Sequence, residues 1–262
     1  MNLKKKEKKL KTNLLKIKKL AIAFSGGFDS SFLAKFAEMI LNKNNVILIH
    51  VESCFSPSRD KRAAAKFAKE NQLRLFKINA TPLTKKEITD NTKDRCYYCK
   101  TVIMKMIINC AKKNGFLNVA DGSNYDDIFE ERPGFKACKE LKILHPLLDS
   151  YITKRDMIKL SKKYNFNLKY CPSSACLATR VPMGTKIKLK YLKMIDSAED
   201  FLYNSGIISP RVRIYGDNAG IEVPQADFKK ILKNKDKIIE KLHQIGFKKI
   251  FLDLNGYRKI TK

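Results

Sequence analysis

Ser25-Gly26-Gly27-Phe28-Asp29-Ser30 collects the residue types that hold a polyphosphate. Two adjacent glycines let the backbone approach an anion closely and take positive φ. Successive backbone N–H groups and the N-terminus of a following helix then point at phosphate oxygens. The hydroxyls of Ser25 and Ser30 would add donors, and Asp29 is placed to hold Mg²⁺ or to orient the loop. No Gly-Lys-Ser/Thr follows, so this is not a Walker A loop. The chemistry such a loop can supply is leaving-group stabilisation. In-line attack on an α-phosphate builds charge on the bridging oxygen, and preorganised donors bind that charge best in the transition state. The plainer alternative is an ordinary Gly-containing turn, and the agreement of strand, glycines, Asp29 and helix stands against it.

The cysteines form the second set. There are seven, an odd count, and no secretion signal accompanies them, so a disulfide framework is not expected. Cys96-Tyr97-Tyr98-Cys99 places two thiols at a helix start, where they can share a metal or cluster and the helix dipole lowers their pKa; two incidental cysteines are the alternative. A four-Cys zinc site would need a second close pair, and Cys171 with Cys176 is spaced too widely. Cys176 lies in a run of small residues, with Arg180 four positions on and Pro182-Met183-Gly184-Thr185 after it. That is not a core pattern. Arg180 could keep the thiol ionised and hold an anionic substrate, although a buried loop Cys would also read this way. Cys54, Cys110 and Cys138 read as small buried hydrophobes, and Cys171 as incidental.

The elements that must position these residues are legible from periodicity. Lys19–Phe24 is a short apolar strand running into the glycine loop, and residues 32–41 show apolar positions at helical spacing. Val46–Val51 is a continuous β-branched run, as in a buried parallel strand. A helix over Arg59–Glu70, a strand over Arg74–Ile78, a helix over Cys99–Lys113 and a strand over Asn118–Asp121 follow. Repeated β-α-β units predict an α/β fold with a doubly wound parallel sheet. Ligands on such sheets sit at the carboxyl ends of the strands, where Ser25, Ser53, Asp121 and Gly122 fall. Thr153 to Asp156 reads as a capping box. Helix, two strands, helix and strand over the last 75 or so residues predict a smaller α+β unit. The expected division is therefore residues 1–170, a linker over 171–186 beside the site, and a substrate or oligomerisation unit over 187–262.

Bulk composition narrows the classes. No stretch approaches the roughly 20 apolar residues of a membrane span, and the Lys-rich start leads into too short an apolar run for a signal peptide, so a cytoplasmic protein without membrane partners is expected. The net charge of +28 invites a nucleic-acid reading. Only 10 of the 54 basic residues are Arg, however, and Lys is spread over nearly every surface segment. That favours a diffusely basic surface, which suits a small polyanionic substrate, over a dedicated RNA face.

The loop resembles the PP-loop of the adenine nucleotide α-hydrolase class. The chain as a whole, from about residue 10 to its end, resembles the LarE family of ATP-dependent sulfur transferases. The resemblance rests on the ordered set Ser25–Ser30, Asp94–Lys100, Asp121-Gly122-Ser123-Asn124, Glu131-Arg132-Pro133-Gly134, Ala175–Arg180 with Val181–Thr185, Arg211-Val212-Arg213 and Ile221-Glu222-Val223. It implies binding of ATP and Mg²⁺, adenylation of a carboxylate on a pyridinium dicarboxylate mononucleotide, release of pyrophosphate, sulfur insertion and a homo-oligomer. By the same resemblance Cys176 handles sulfur, Arg180, Arg211 and Arg213 lie near the substrate or its phosphate, and Glu199 is a site glutamate. Solvated surface roles for Arg211, Arg213 and Glu199 are the alternatives. Gly220 stands where the family often has Arg, so part of the anion site differs.

Two family mechanisms exist. In one, Cys176 would give up its own sulfur; in the other, Cys96, Cys99 and Cys176 would hold a [4Fe-4S] cluster fed by a sulfide donor. The full set of three cysteines favours the cluster route. A tRNA 2-thiolation enzyme of the PP-loop class and a non-catalytic ATP-binding module are the rival readings. The lack of an appended RNA-binding module opposes the first, and the three thiols oppose the second.

Overall fold

The computed structural model describes residues 1–129, 133–168 and 175–256. Helix α1 (Leu3–Ile17) precedes a βα repeat: β1 (Leu20–Ala23), α2 (Phe28–Leu41), β2 (Val46–Glu52), α3 (Ser58–Glu70), β3 (Arg74–Asn79), α4 (Arg95–Lys113) and β4 (Asn118–Ala120). The four strands form one parallel sheet in the order β3-β2-β1-β4. Because the strands are parallel, Ser25, Ser53 and Asp121 all follow strand ends on the same edge of the sheet.

Side chains on a strand alternate between its faces, and the two cores of this sheet obey that period. Leu20, Ile22, Val46 and Leu48 join α1, α2 and the buried Ala64 and Ala68 of α3 in one cluster. Ala21, Ile47, Ile49 and Val119 join Met104, Ile107 and Ala111 of α4 in the other. Phe32 and Phe36 of α2 are fully buried, each contributing roughly 1.5–3 kcal/mol of transfer free energy. The predicted capping box opens α5 (Lys154–Lys163), with Thr153 and Asp156 bonding each other's backbone. Helix α1 docks on α5 through charge: Glu7 accepts from Lys11, Lys163 and Tyr164, and Lys6 reaches Asp156 at 2.6 Å. Burial works against the Glu7 carboxylate, but these donors hold it down at about 2.

The C-terminal elements are α6 (Leu189–Asn204), β5 (Arg211–Tyr215), β6 (Asn218–Glu222), α7 (Phe228–Lys233), α8 (Lys235–Ile245) and β7 (Ile250–Leu252). Strand β6 is central, antiparallel to β5 and parallel to β7. The single helix expected before the last strand is instead two helices meeting at Asn234, whose side chain bonds back to Lys230 O. Asn competes for local backbone groups, which makes it a natural break. The sheet's inner face carries Val212, Ile214, Ala219 and Ile221, all buried.

Two units emerge, and they are not contiguous in sequence. One comprises Met1–Ser53, Asp60–Pro82 and Cys96–Ser173; the other comprises Cys54–Arg59, Leu83–Arg95 and Ser174–Lys262. The C-terminal unit thus recruits two segments from the first half of the chain. Asn91 donates to the carbonyls of Val181 and Pro182, and Ser58 bonds Asp196 through both N–H and hydroxyl. The boundary expected near residue 170, and Cys171 itself, fall outside the described residues.

Candidate functional site

The glycine loop sits between β1 and α2. Gly26 takes φ +81°, and a Cβ there would lie 2.9 Å from Ala64 N and 3.0 Å from Asp60 O. The loop is therefore pressed against the backbone of α3 in a conformation only Gly adopts readily. Gly27 is the N-cap of α2 and offers no side chain to cover the orphan N–H groups of a helix start. The Ser25 and Ser30 hydroxyls lie 3.1 Å apart; Ser25 Oγ accepts from Gly27 N, and Ser30 Oγ donates to Gly27 O. Gly122 closes on the loop from β4, since a Cβ there would meet Ser30 N at 2.8 Å. Donors and hydroxyls are thus fixed before any anion arrives, which is what electrostatic preorganisation requires.

Carboxylates flank this cradle. Asp29 accepts from Asn124 Nδ2 at 3.1 Å, and Lys154 Nζ stands 3.9 Å away. Asp121, buried past β4, receives His145 Nδ1 at 2.8 Å, Lys100 Nζ at 3.2 Å and Ser123 N at 3.1 Å. Burial opposes ionisation of Asp121, but Lys100 and His145 outweigh it and hold the carboxyl well below its usual range. Lys100 shows the converse: burial works against its charge and Asp121 raises its pKa. Burial pushes the neighbouring Cys138 thiol up to about 11, so it stays protonated and unreactive. His50, buried on β2, bonds Phe24 O through Nδ1 at 2.7 Å and so ties the two central strands just before the loop.

In the C-terminal unit Arg180 and Arg213 are committed to carboxylates. Arg180, only 1% exposed, bonds Glu199 through Nε at 2.6 Å and Nη2 at 3.3 Å, and Thr179 Oγ1 through Nη1 at 2.7 Å. Glu199 also accepts Val212 N at 3.0 Å, and Arg59 Nη2 lies 3.6 Å from it. Arg213 forks onto Glu222 and gives Nη1 to Thr179 O at 2.8 Å. Burial works against its charge, and Glu222 more than offsets this. Cys176 caps the short helix Leu177–Arg180, its carbonyl accepting from Thr179 N and Oγ1.

Residues 3–114 match the family model described as NAD synthase. An uncharacterised protein of Methanocaldococcus jannaschii is 35% identical over 95% of this chain and 96% of its own length. The pyridinium-3,5-bisthiocarboxylic acid mononucleotide synthase of Lactiplantibacillus plantarum is 28% identical over 92% of this chain and 88% of its own. An uncharacterised Synechocystis protein is 29% identical over 90% of this chain. The chain belongs to the LarE family. It is a PP-loop protein with the ATP-using loop of that class, on the parallel α/β sheet expected of it.

For this LarE-family chain the first unit brings together Ser25, Gly26, Gly27, Asp29, Ser30, Asp121 and Gly122 around one strand-end edge, with Ser53 buried just past β2. The second gathers Arg180 and Glu199 with Arg213 through the shared residue Thr179; Arg211 lies on β5 with Arg213. Cys96 is exposed and Cys99 half-buried at the start of α4. Among the described residues no three His, Cys, Asp or Glu side chains converge on a point that could hold a metal ion. Cys96 and Cys99 belong to the first unit and Cys176 to the second. Sequence reasoning missed Lys100 and His145 as partners of Asp121, and Asn124 as the partner of Asp29. One signal was available: only three His occur in the chain, and His145 follows the strand-like run Lys142-Ile143-Leu144.

Proposed function

We propose that this chain is an ATP-dependent sulfur transferase that adenylates a carboxylate of pyridinium-3,5-biscarboxylic acid mononucleotide or a close relative and converts it to a thiocarboxylate. The observation that carries the reading is the loop: Gly26 at positive φ packs against α3 and Gly122 against the start of α2, where no side chain fits, so the N–H groups that open α2 are held in a fixed array. The near full-length likeness to the Lactiplantibacillus synthase supports the substrate class.

A substrate carboxylate oxygen attacks the α-phosphorus of ATP, and pyrophosphate departs into the donors of the loop and the start of α2. Mg²⁺, which takes few protein carboxylates plus substrate phosphates, would add charge neutralisation there. Asp29, part-exposed in the first turn of α2, suits such a cation. The Cys176 thiolate then attacks the acyl carbon and AMP leaves, giving a thioester. Loss of the Cys176 α-proton with cleavage of its Cβ–Sγ bond releases the thiocarboxylate and leaves dehydroalanine. A [4Fe-4S] cluster held by Cys96, Cys99 and Cys176 is the other sulfur source this cysteine set allows.

The test is anaerobic turnover with ATP, Mg²⁺ and the dicarboxylate mononucleotide. AMP and pyrophosphate in equal amounts are expected, with a protein lighter by one H₂S on intact-mass analysis. ADP and phosphate would refute the adenylation. Iron and labile sulfide in the protein, with Cys176 surviving many turnovers, would assign the sulfur to a cluster instead.

A further inference from the structure

We propose that the N-terminal helix and the turn after β4 form a second binding surface, for single-stranded nucleic acid. Tyr125, Phe129 and Tyr151 make a connected ring array. Tyr125 packs edge-on to both others, at 5.2 Å to Tyr151 and 6.3 Å to Phe129. Phe129 is 80% exposed, Ile128 53% and Tyr151 42%. Large apolar side chains held this open mark a contact surface. The start of the turn is pinned by bonds: Tyr125 N donates to Ile152 O, Asn124 N to Asp127, Asp126 N to Asn124, and Lys154 N to Asp126.

Beside the rings runs a cleft of about 620 Å³ lined by Lys9, Asn13 and Lys16 of α1, Tyr125, Tyr151 and the apolar floor around Leu148. Lys5, Lys9, Asn13 and Lys16 fall on one helical stripe. Lys9 Nζ stands 4.3 Å from the centre of the Tyr151 ring. One carboxylate, Asp149, also lines the cleft, and the Lys stripe outnumbers it. A positive track beside stacking rings is the recognition chemistry of single-stranded nucleic acid. A protein or a second copy would bury the rings equally well but would not call for the lysine stripe. The surface lies in the first unit.

Fluorescence anisotropy with a labelled single-stranded RNA of about 12 nucleotides, within the site sizes of such grooves, tests this on the full chain. Phe129→Ala and Tyr151→Ala should each weaken binding about 5- to 100-fold, the loss of one stacked base. Lys9→Glu and Lys16→Glu should flatten the salt dependence, and ATP binding and the unfolding midpoint should stay unchanged in all four. Three results would overturn the proposal: no binding at micromolar protein; binding that Phe129→Ala leaves intact and inorganic polyphosphate competes fully, which is charge alone; or Phe129→Ala converting an oligomer to a monomer in sedimentation, which makes the surface a self-contact.

Discussion

Around the phosphate loop the anion-directed groups are backbone N–H and hydroxyls, with Asp29 and Asp121 held by Asn124, Lys100 and His145. In the C-terminal unit they include the Arg180 and Arg213 guanidinium groups, which Glu199 and Glu222 already occupy. The first arrangement gives up only neutral hydrogen bonds, Gly27 N to Ser25 Oγ and Ser30 Oγ to Gly27 O, to accept an incoming phosphate. The second must lose an internal ion pair before Arg180 or Arg213 binds an outside anion. Charge of the right sign near a cleft is thus not the same as charge available to a ligand. The arginine cluster holds β5, the Leu177–Arg180 turn and α6 in register, and any substrate contact it makes is a displacement.

The largest test of this contrast is Glu199→Ala, which would strand the Arg180 charge in a site 1% exposed. A loss of about 3–5 kcal/mol is expected, seen in denaturant unfolding as a lower midpoint with an unchanged slope; under about 1 kcal/mol would mean Arg180 has another partner and is spare for ligand. Next comes Arg213→Lys, which keeps the charge but loses the fork onto Glu222 and the bond to Thr179 O. About 1.5–3 kcal/mol of stability should go, and a change confined to substrate affinity would break the structural reading.

Gly122→Ala probes the other region: its Cβ would push on Ser30 N. ATP affinity measured by calorimetry should fall about tenfold or more, roughly 1.4 kcal/mol, and because the clash is with backbone the unfolding midpoint should fall as well. The smallest effect is in pH, where Glu7 gives the first unit a scaffold ion pair of its own. Its folded pKa of about 2 lies below the ordinary 4.5, so its stabilisation is complete above about 4.5 and is lost as pH falls toward 2. Between about pH 5 and pH 4 the loss should stay under about 1 kcal/mol, and Glu7→Gln should remove that part of the acid sensitivity.

Period and punctuation made most elements legible. The strand-Gly-Gly-helix run, the β-branched β2, the capping box at Thr153 and strand β5 need only local chemistry, and local chemistry is written in neighbouring residues. The phosphate loop belongs to that class, because a positive-φ turn followed by a helix start is specified within six residues. What surrounds it is not. That Asp121 meets His145 and Lys100, that Glu199 takes the Arg180 guanidinium, and that Cys54–Arg59 and Leu83–Arg95 join the C-terminal unit all depend on contacts between residues distant in sequence. An isolated Arg or Glu reads the same whether it is solvated, ligand-facing or buried in a pair. Only the packing of the folded chain determines which, since burial sets the desolvation that makes a paired partner obligatory.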